Sequence, residues 1–176
     1  SETVDTTPRN FVNLSSFYLT KNHPTIKSSG DHVTNGHIQL AGATVLSDDT
    51  ALLLTIRLSE AERVAALSYS ATPGGEDVSS PTELDVEVGG FRDIATNLNV
   101  ELIGLQLKEI PDTTNPLGSS GIIRLTDGVI LLTLSETIRT STVAFNLINI
   151  NNVTQITEIG LVGSTLINED LPTLTL

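Results

Sequence analysis

Cysteine is absent from the 176 residues, as are methionine and tryptophan. Without cysteine there is no disulfide framework, no thiolate nucleophile and no thiolate metal site. Cations are scarce as well: nine Lys and Arg stand against 21 Asp and Glu, a net charge of −12. A field of that sign repels phosphate backbones and anionic head groups, so neither nucleic acid nor a membrane surface is an expected partner. No apolar run approaches the roughly 20 residues of a membrane span, and no charged-then-apolar signal segment is present. Aromatics are few, two Tyr and four Phe, so aliphatic side chains have to build any core.

What is present is the vocabulary of strands. Hydrophobic residues make up 39% of the chain and mean hydropathy is +0.12, which sets the chain on the folded side of the boundary with disorder despite its charge. Val, Ile and Leu alternate with Thr and Ser, the residues that suit a pleated, half-buried surface. Strands are expected at 13–20, 38–45, 51–58, 67–71, 84–88, 100–107, 122–125, 129–134, 143–150, 156–161 and 171–176, with polar turns between them. Leu84-Asp85-Val86-Glu87-Val88 alternates strictly, which predicts an apolar face and a solvated acidic one. Residues 38–45 and 51–58 are expected to pair as a hairpin, the second strand buried on both faces or nearly so. Asp127-Gly128 predicts a two-residue hairpin turn. Only Ser59-Glu60-Ala61-Glu62 looks helical: Ser59 is placed to cap and Glu62 stands three residues on, as a capping box requires. Alternation predicts a core of Leu40, Val45, Leu52, Leu54, Ile56, Leu67, Leu84, Val86 and Val88.

The chain also repeats itself. Ser135-Glu136-Thr137-Ile138-Arg139-Thr140 echoes Ser1-Glu2-Thr3-Val4-Asp5-Thr6, an offset of 134, and Ile159 to Leu166 echoes Ile38 to Val45, an offset of 121. The final Leu171 to Leu176 matches Ala51 to Ile56. Between the copies lies Pro111-Asp112-Thr113-Thr114-Asn115-Pro116, where two prolines block both a helix and a central strand. Repeats decide architecture. They divide the chain into a module at 1–110, a linker at 111–116 that is expected to be exposed and extended, and the N-terminal part of a second module at 117–176. A chain without Met that opens inside a repeat reads as a processed or excised piece of a longer one. By the same alignment, 1–110 lacks a counterpart of Val129 to Leu134, and 117–176 lacks counterparts of everything from Leu67 onward.

The Pro111 to Pro116 linker, the strand ending Leu134-Ser135-Glu136, and Asp93-Ile94-Ala95-Thr96-Asn97 together resemble the tandem immunoglobulin-like repeats of large secreted and surface proteins of bacteria and some algae. Where that family usually has Gly before the last Asn, this chain has Thr96. The resemblance implies an all-β fold of tandem Ig-like β-sandwich modules, and a structural or adhesive role outside the cell or at its surface. It implies no catalytic residues.

Residue chemistry supports the same expectation of a non-enzyme. His23, His32 and His37 fall in one Gly- and Pro-punctuated stretch without Cys or ligand spacing, which suits solvated loop residues better than a metal site. The acidic pairs Asp48-Asp49 and Glu169-Asp170 offer too few oxygens for Ca2+ unless other loops contribute, and a polar hairpin turn explains them better. No cofactor is expected. Pro73-Gly74-Gly75 lacks the Lys and the helix of a phosphate loop, and no nucleophile elbow accompanies Ser, His and Asp. Asn13-Leu14-Ser15 and Asn152-Val153-Thr154 satisfy the N-glycosylation pattern, so Asn13 and Asn152 are candidate acceptors.

The expected function is that of a structural repeat of an extracellular fibre, filament or surface appendage. Its partners would be identical copies or neighbouring repeats joined head to tail, because an incomplete sandwich exposes an edge that templates another strand. The strand-exchange candidates are Val129, Ile130, Leu131, Leu132, Thr133 and Leu134. A carbohydrate-binding or adhesin module of a large surface protein is the alternative, with the six aromatics as its only platforms.

Overall fold

A computed structural model describes residues 3–5, 11–21, 36–47, 52–73, 75, 80–152, 155–166 and 173–175, with the backbone alone at 152, 155–158 and 173–175. The chain is β-rich, made of small antiparallel sheets with one short α-helix among the described residues. It divides into two compact units, Ser1–Asp112 and Thr113–Leu176. The division falls inside the Pro111 to Pro116 stretch, whose residues are all exposed and irregular.

In the first unit, β1 (Phe17–Thr20), β2 (Ile38–Gln39), β5 (Glu83–Val86) and β6 (Leu102–Gln106) form a sheet in the order β2-β1-β5-β6. A second, two-stranded sheet pairs β3 (Thr44–Val45) with β4 (Ile56–Arg57). The register Phe17↔Val86, Tyr18↔Asp85, Leu19↔Leu84, Thr20↔Glu83 sorts the side chains by face. Phe17, Leu19, Leu84 and Val86 share one face and meet Val12, Leu40 and Val45 in the core. Phe17 and Val86 are 2% and 1% exposed, and each such side chain contributes about 1.5–3 kcal/mol by leaving water.

Glu83 and Asp85 lie on the other face with Tyr18 and Thr20, and all four are buried. The solvated acidic face expected of Asp85 and Glu87 is therefore corrected: Asp85 is buried and Glu87 is half-buried. Alternation tells which residues share a face; it does not tell whether that face is covered. Asp85 Oδ1 accepts a hydrogen bond from Gly104 N at 2.6 Å, across an irregularity in the β5–β6 register where Gly104 has φ +63°. That backbone conformation suits a glycine-dependent bulge.

The helix α1 (Glu60–Leu67) begins as its sequence predicts. Ser59 Oγ accepts from Glu62 N, and Glu62 Oε2 accepts from Ser59 N at 2.7 Å. The helix continues through Leu67 and closes with Ser68 N donating to Ala65 and Ala66 carbonyls. The strand expected at 67–71 is thus corrected: a satisfied cap propagates two turns through Ala-rich sequence and leaves a turn, not a strand, behind it. The strands expected at 38–45 and 51–58 are also shorter. Residues 38–45 split around a turn at Ala41-Gly42, and β4 is two residues long. Of the nine predicted core residues, Leu40, Val45 and Val86 are buried, while Leu54, Ile56 and Leu84 pack against the core. Leu52, Leu67 and Val88 are exposed, and Val12, Phe17 and Leu19 take their places.

The second unit holds a three-stranded sheet in the order β11-β8-β7, from β7 (Gly118–Arg124), β8 (Val129–Leu134) and β11 (Thr173–Thr175). A separate ribbon pairs β9 (Asn149–Asn152) with β10 (Gln155–Gly160). Strand β7 ends at Arg124, so the hairpin loop is Leu125 to Gly128 rather than two residues. Gly128, at φ +72°, donates from N to Arg124 O at 2.9 Å and closes it. The strand expected at 143–150 is replaced by a 3₁₀ turn at Phe145–Leu147 and a strand that starts at Asn149.

The structure extends the repeat beyond what the letters show. In the first unit a 3₁₀ turn (Leu14–Ser16) leads into Phe17, whose carbonyl accepts from Leu40 N at 2.9 Å; Ala43 N then bonds Leu40 O at 3.2 Å. In the second unit the Phe145–Leu147 turn leads into Ile148, whose carbonyl accepts from Leu161 N at 3.1 Å; Ser164 N then bonds Leu161 O at 3.1 Å. Phe17 and Ile148 share no local sequence, yet they hold the same place.

Candidate functional site

An apolar groove of about 570 Å³ opens in the first unit where the core comes to the surface. Leu54, Ile56 and Leu58 line it from β4 and its flanks, Leu84 from β5, and Leu107 and Ile110 from the stretch after β6. All but Ile110 also pack against the core, so the groove is the core's own open side.

Beside it runs the segment Leu52 to Thr55, which leads into β4 and continues its line past the end of the strand. Ser47 Oγ donates to Leu53 O at 3.0 Å and accepts from Thr55 N at 2.6 Å, and Leu46 N donates to Thr55 O at 2.8 Å. These bonds hold Leu53 and Thr55 toward β3. Strand alternation then directs the N–H and C=O of Leu54 to the opposite edge, where no partner stands among the described residues. Leu52 and Leu53, 70% and 74% exposed, continue that edge. The strand expected at 51–58 with both faces buried or nearly so is corrected: among its described residues only Ile56–Arg57 is strand, and Leu52, Leu53, Thr55 and Arg57 are exposed.

Polar groups fix the rim. Glu109 Oε1 accepts from Thr82 N and from Thr82 Oγ1, and its Oε2 accepts from Ala71 N at 2.9 Å. Burial alone would raise the Glu109 carboxyl, but these donors outweigh it and hold it below its ordinary range. Glu62 behaves likewise: burial raises it, and bonds from Ser59 and from Gly42 N at 2.8 Å bring it below. Arg63 is bidentate to Glu60 at 2.9 Å and lies 3.9 Å from Asp112. On the rim Arg63 and Lys108 offset Glu109 and Asp112, a neutral patch on a chain of net charge −12.

The residues singled out from the sequence are dispersed. Val129 to Leu134 form β8, the middle strand of its sheet, paired with β7 along its length and with β11 at Leu131, Leu132 and Thr133. Exchange through this strand therefore has to displace a partner. Asn13 is exposed, and its Nδ2 donates to Ser16 Oγ at 2.9 Å. Asn152 ends β9, with its side chain and the rest of its sequon outside the described residues. His37 packs edge-on against Tyr18, with ring centroids 5.2 Å apart. His23, His32, Asp48, Asp49, Glu169 and Asp170 also lie outside the described residues. Among the described residues no three His, Cys, Asp or Glu side chains gather as metal ligands.

Asp93-Ile94-Ala95-Thr96-Asn97 closes on itself: Asn97 N and Nδ2 donate to the two Asp93 carboxylate oxygens at 2.8 and 2.7 Å. Thr96, at φ +72°, is the one non-glycine with positive φ among the described residues. Val4 and Asp5 pair with this segment and with the residue before it. Val4 bridges to Asp93, Asp5 N donates to Arg92 O at 2.8 Å, and Arg92 Nη2 lies 3.0 Å from Asp5 Oδ2. The groove was missed from the sequence because its lining comes from distant segments, each unremarkable alone. No known protein family, curated protein or solved structure matches the chain. Among the described residues no helix is long and apolar enough to cross a membrane.

Proposed function

We propose that this chain is a structural repeat unit of an extracellular fibre or surface appendage, built by head-to-tail association of identical copies or neighbouring repeats. The two sheets of the first unit are the halves of an immunoglobulin-like sandwich in this reading. One observation carries it: among the described residues the first unit presents an apolar groove on its core beside Leu54, while no described side chain of the second unit is buried. An apolar groove and an under-covered sheet in one chain are complementary needs. The internal repeat and the motif resemblance add support, and the reading assigns no catalytic role to any residue.

The adhesin alternative draws little from the side chains. Sugar platforms need exposed aromatic faces, whereas Phe11, Phe17, Tyr18, Tyr69, Phe91 and Phe145 are all buried or half-buried. The Arg92 guanidinium lies 3.4 Å over the Phe11 ring and Lys21 Nζ lies 4.9 Å over that of Tyr69. Sedimentation velocity over a range of concentrations, with electron microscopy of the same samples, tests the proposal. Concentration-dependent linear oligomers are expected. A chain that stays monomeric to about millimolar concentration, or binds one glycan saturably through an aromatic, overturns it.

A further inference from the structure

We infer that the open Leu52 to Thr55 edge is an acceptor for strand β8 of a second copy of this chain, in the register that β8 already shows with β11. This rests on the fibre reading and names its joint.

The register comes from the repeat. Leu171 to Leu176 aligns with Ala51 to Ile56, so β11 residues Thr173, Leu174 and Thr175 correspond to Leu53, Leu54 and Thr55. In the second unit Thr173 pairs with Thr133, Leu174 with Leu132 and Thr175 with Leu131. Leu54 and Thr55 recur as Leu174 and Thr175; β8 pairs with the second segment, and among the described residues no strand pairs with the outer edge of the first. Replacing β11 by Leu53-Leu54-Thr55 of another copy sets Leu54 opposite Leu132. Only the three-residue β11 pairing is given up, because the β7–β8 hairpin keeps its own, longer ladder.

The incoming hairpin also fits what surrounds the edge. Cross-strand partners place Ile123, Ile130, Leu132 and Leu134 on one face, with Gly121 beneath Leu132. That aliphatic face would lie over Ile56, Leu84 and Leu107 and cover the groove. Electrostatics select the same pair of surfaces. Two copies of charge −12 repel except where both are neutral. Gly128 to Leu134 holds no charged residue, and the groove rim balances its own charges. Because donor and acceptor are different surfaces, each copy can give one strand and receive one, and such contacts propagate.

The absence of cysteine makes the test clean. Full-length Leu54→Cys and Leu132→Cys chains are mixed, equilibrated and oxidised, with Val100→Cys, at an 88% exposed site, as the reference partner for each. The expected result is a disulfide-linked Leu54→Cys/Leu132→Cys heterodimer at least about tenfold more abundant than any pair containing Val100→Cys. A second variant, Leu54→Pro, removes the outward N–H while leaving the bonds of Leu53 and Thr55 to β3, with Leu54→Ala as its packing control. Loss of oligomers in Leu54→Pro and their retention in Leu54→Ala supports the joint. If the wild type forms oligomers but the heterodimer stays at the reference level and Leu54→Pro still assembles, the joint is wrong and the fibre reading stands. If the wild type is monomeric throughout and no cross-link forms, both fall.

Discussion

The hexapeptide that begins at Ser1 and its echo at Ser135 meet different fates. In the first unit Val4 bridges to Asp93 and Asp5 pairs with Arg92. In the second, Thr137-Ile138-Arg139 runs on into a 3₁₀ turn at Thr140–Thr142. The same holds for the second echo. Leu40 is 3% exposed in the core, whereas its counterpart Leu161 is only half-buried beside a Val162 that is 77% exposed. Backbone hydrogen bonds match in both copies, so local sequence makes the turn each time. Burial differs because the first copy has β5, β6 and α1 packed around it and the second does not. Local structure thus repeats with the sequence, and burial does not.

The widest test of that difference is a matched pair of substitutions. Leu40→Ala is expected to destabilise the first unit by about 2–5 kcal/mol, the range for a buried leucine that leaves a cavity. Leu161→Ala should cost less than half as much, read as the shift in each unit's urea midpoint by residue-resolved NMR. Equal costs would show that the second unit has a core of its own. A somewhat smaller effect is expected at the helix start: Ser59→Ala removes the cap and should cost the first unit about 1 kcal/mol, leaving the second unchanged.

Acid sharpens the comparison further. Glu62 and Glu109 are held below the ordinary carboxyl value of 4.5, so the folded first unit binds their protons less readily than the unfolded chain does. The stability they contribute is complete well above that value, begins to fall there and is lost as pH falls on through the lower folded-state values. The first unit should therefore show a steeper fall in urea midpoint below about pH 4.5 than Glu62→Gln and Glu109→Gln variants do. Identical slopes would mean that the hydrogen-bonded carboxylates contribute nothing. The smallest effect is a gain. Thr96 holds a left-handed conformation that costs a branched residue about 1–2 kcal/mol, partly offset in glycine by its greater unfolded entropy. Thr96→Gly should raise the first unit's stability by a few tenths to about 1 kcal/mol. A loss instead would show that the Thr96 side chain holds the turn.

The sequence by itself determined the local events. The Ser59–Glu62 cap and the β8 strand at Val129 to Leu134 were legible because each rests on neighbours within a few residues. Alternation also placed Leu84 and Val86 on one face correctly. Tertiary structure decided which faces were covered. It buried Glu83 and Asp85, left Leu52 and Leu53 exposed, and turned Leu67 into the end of a helix. It also gathered Leu54, Leu84 and Leu107 into one groove. Periodicity encodes the direction of a side chain relative to its own backbone; burial depends on what arrives from elsewhere in the chain, and that information is spread over segments far apart in sequence.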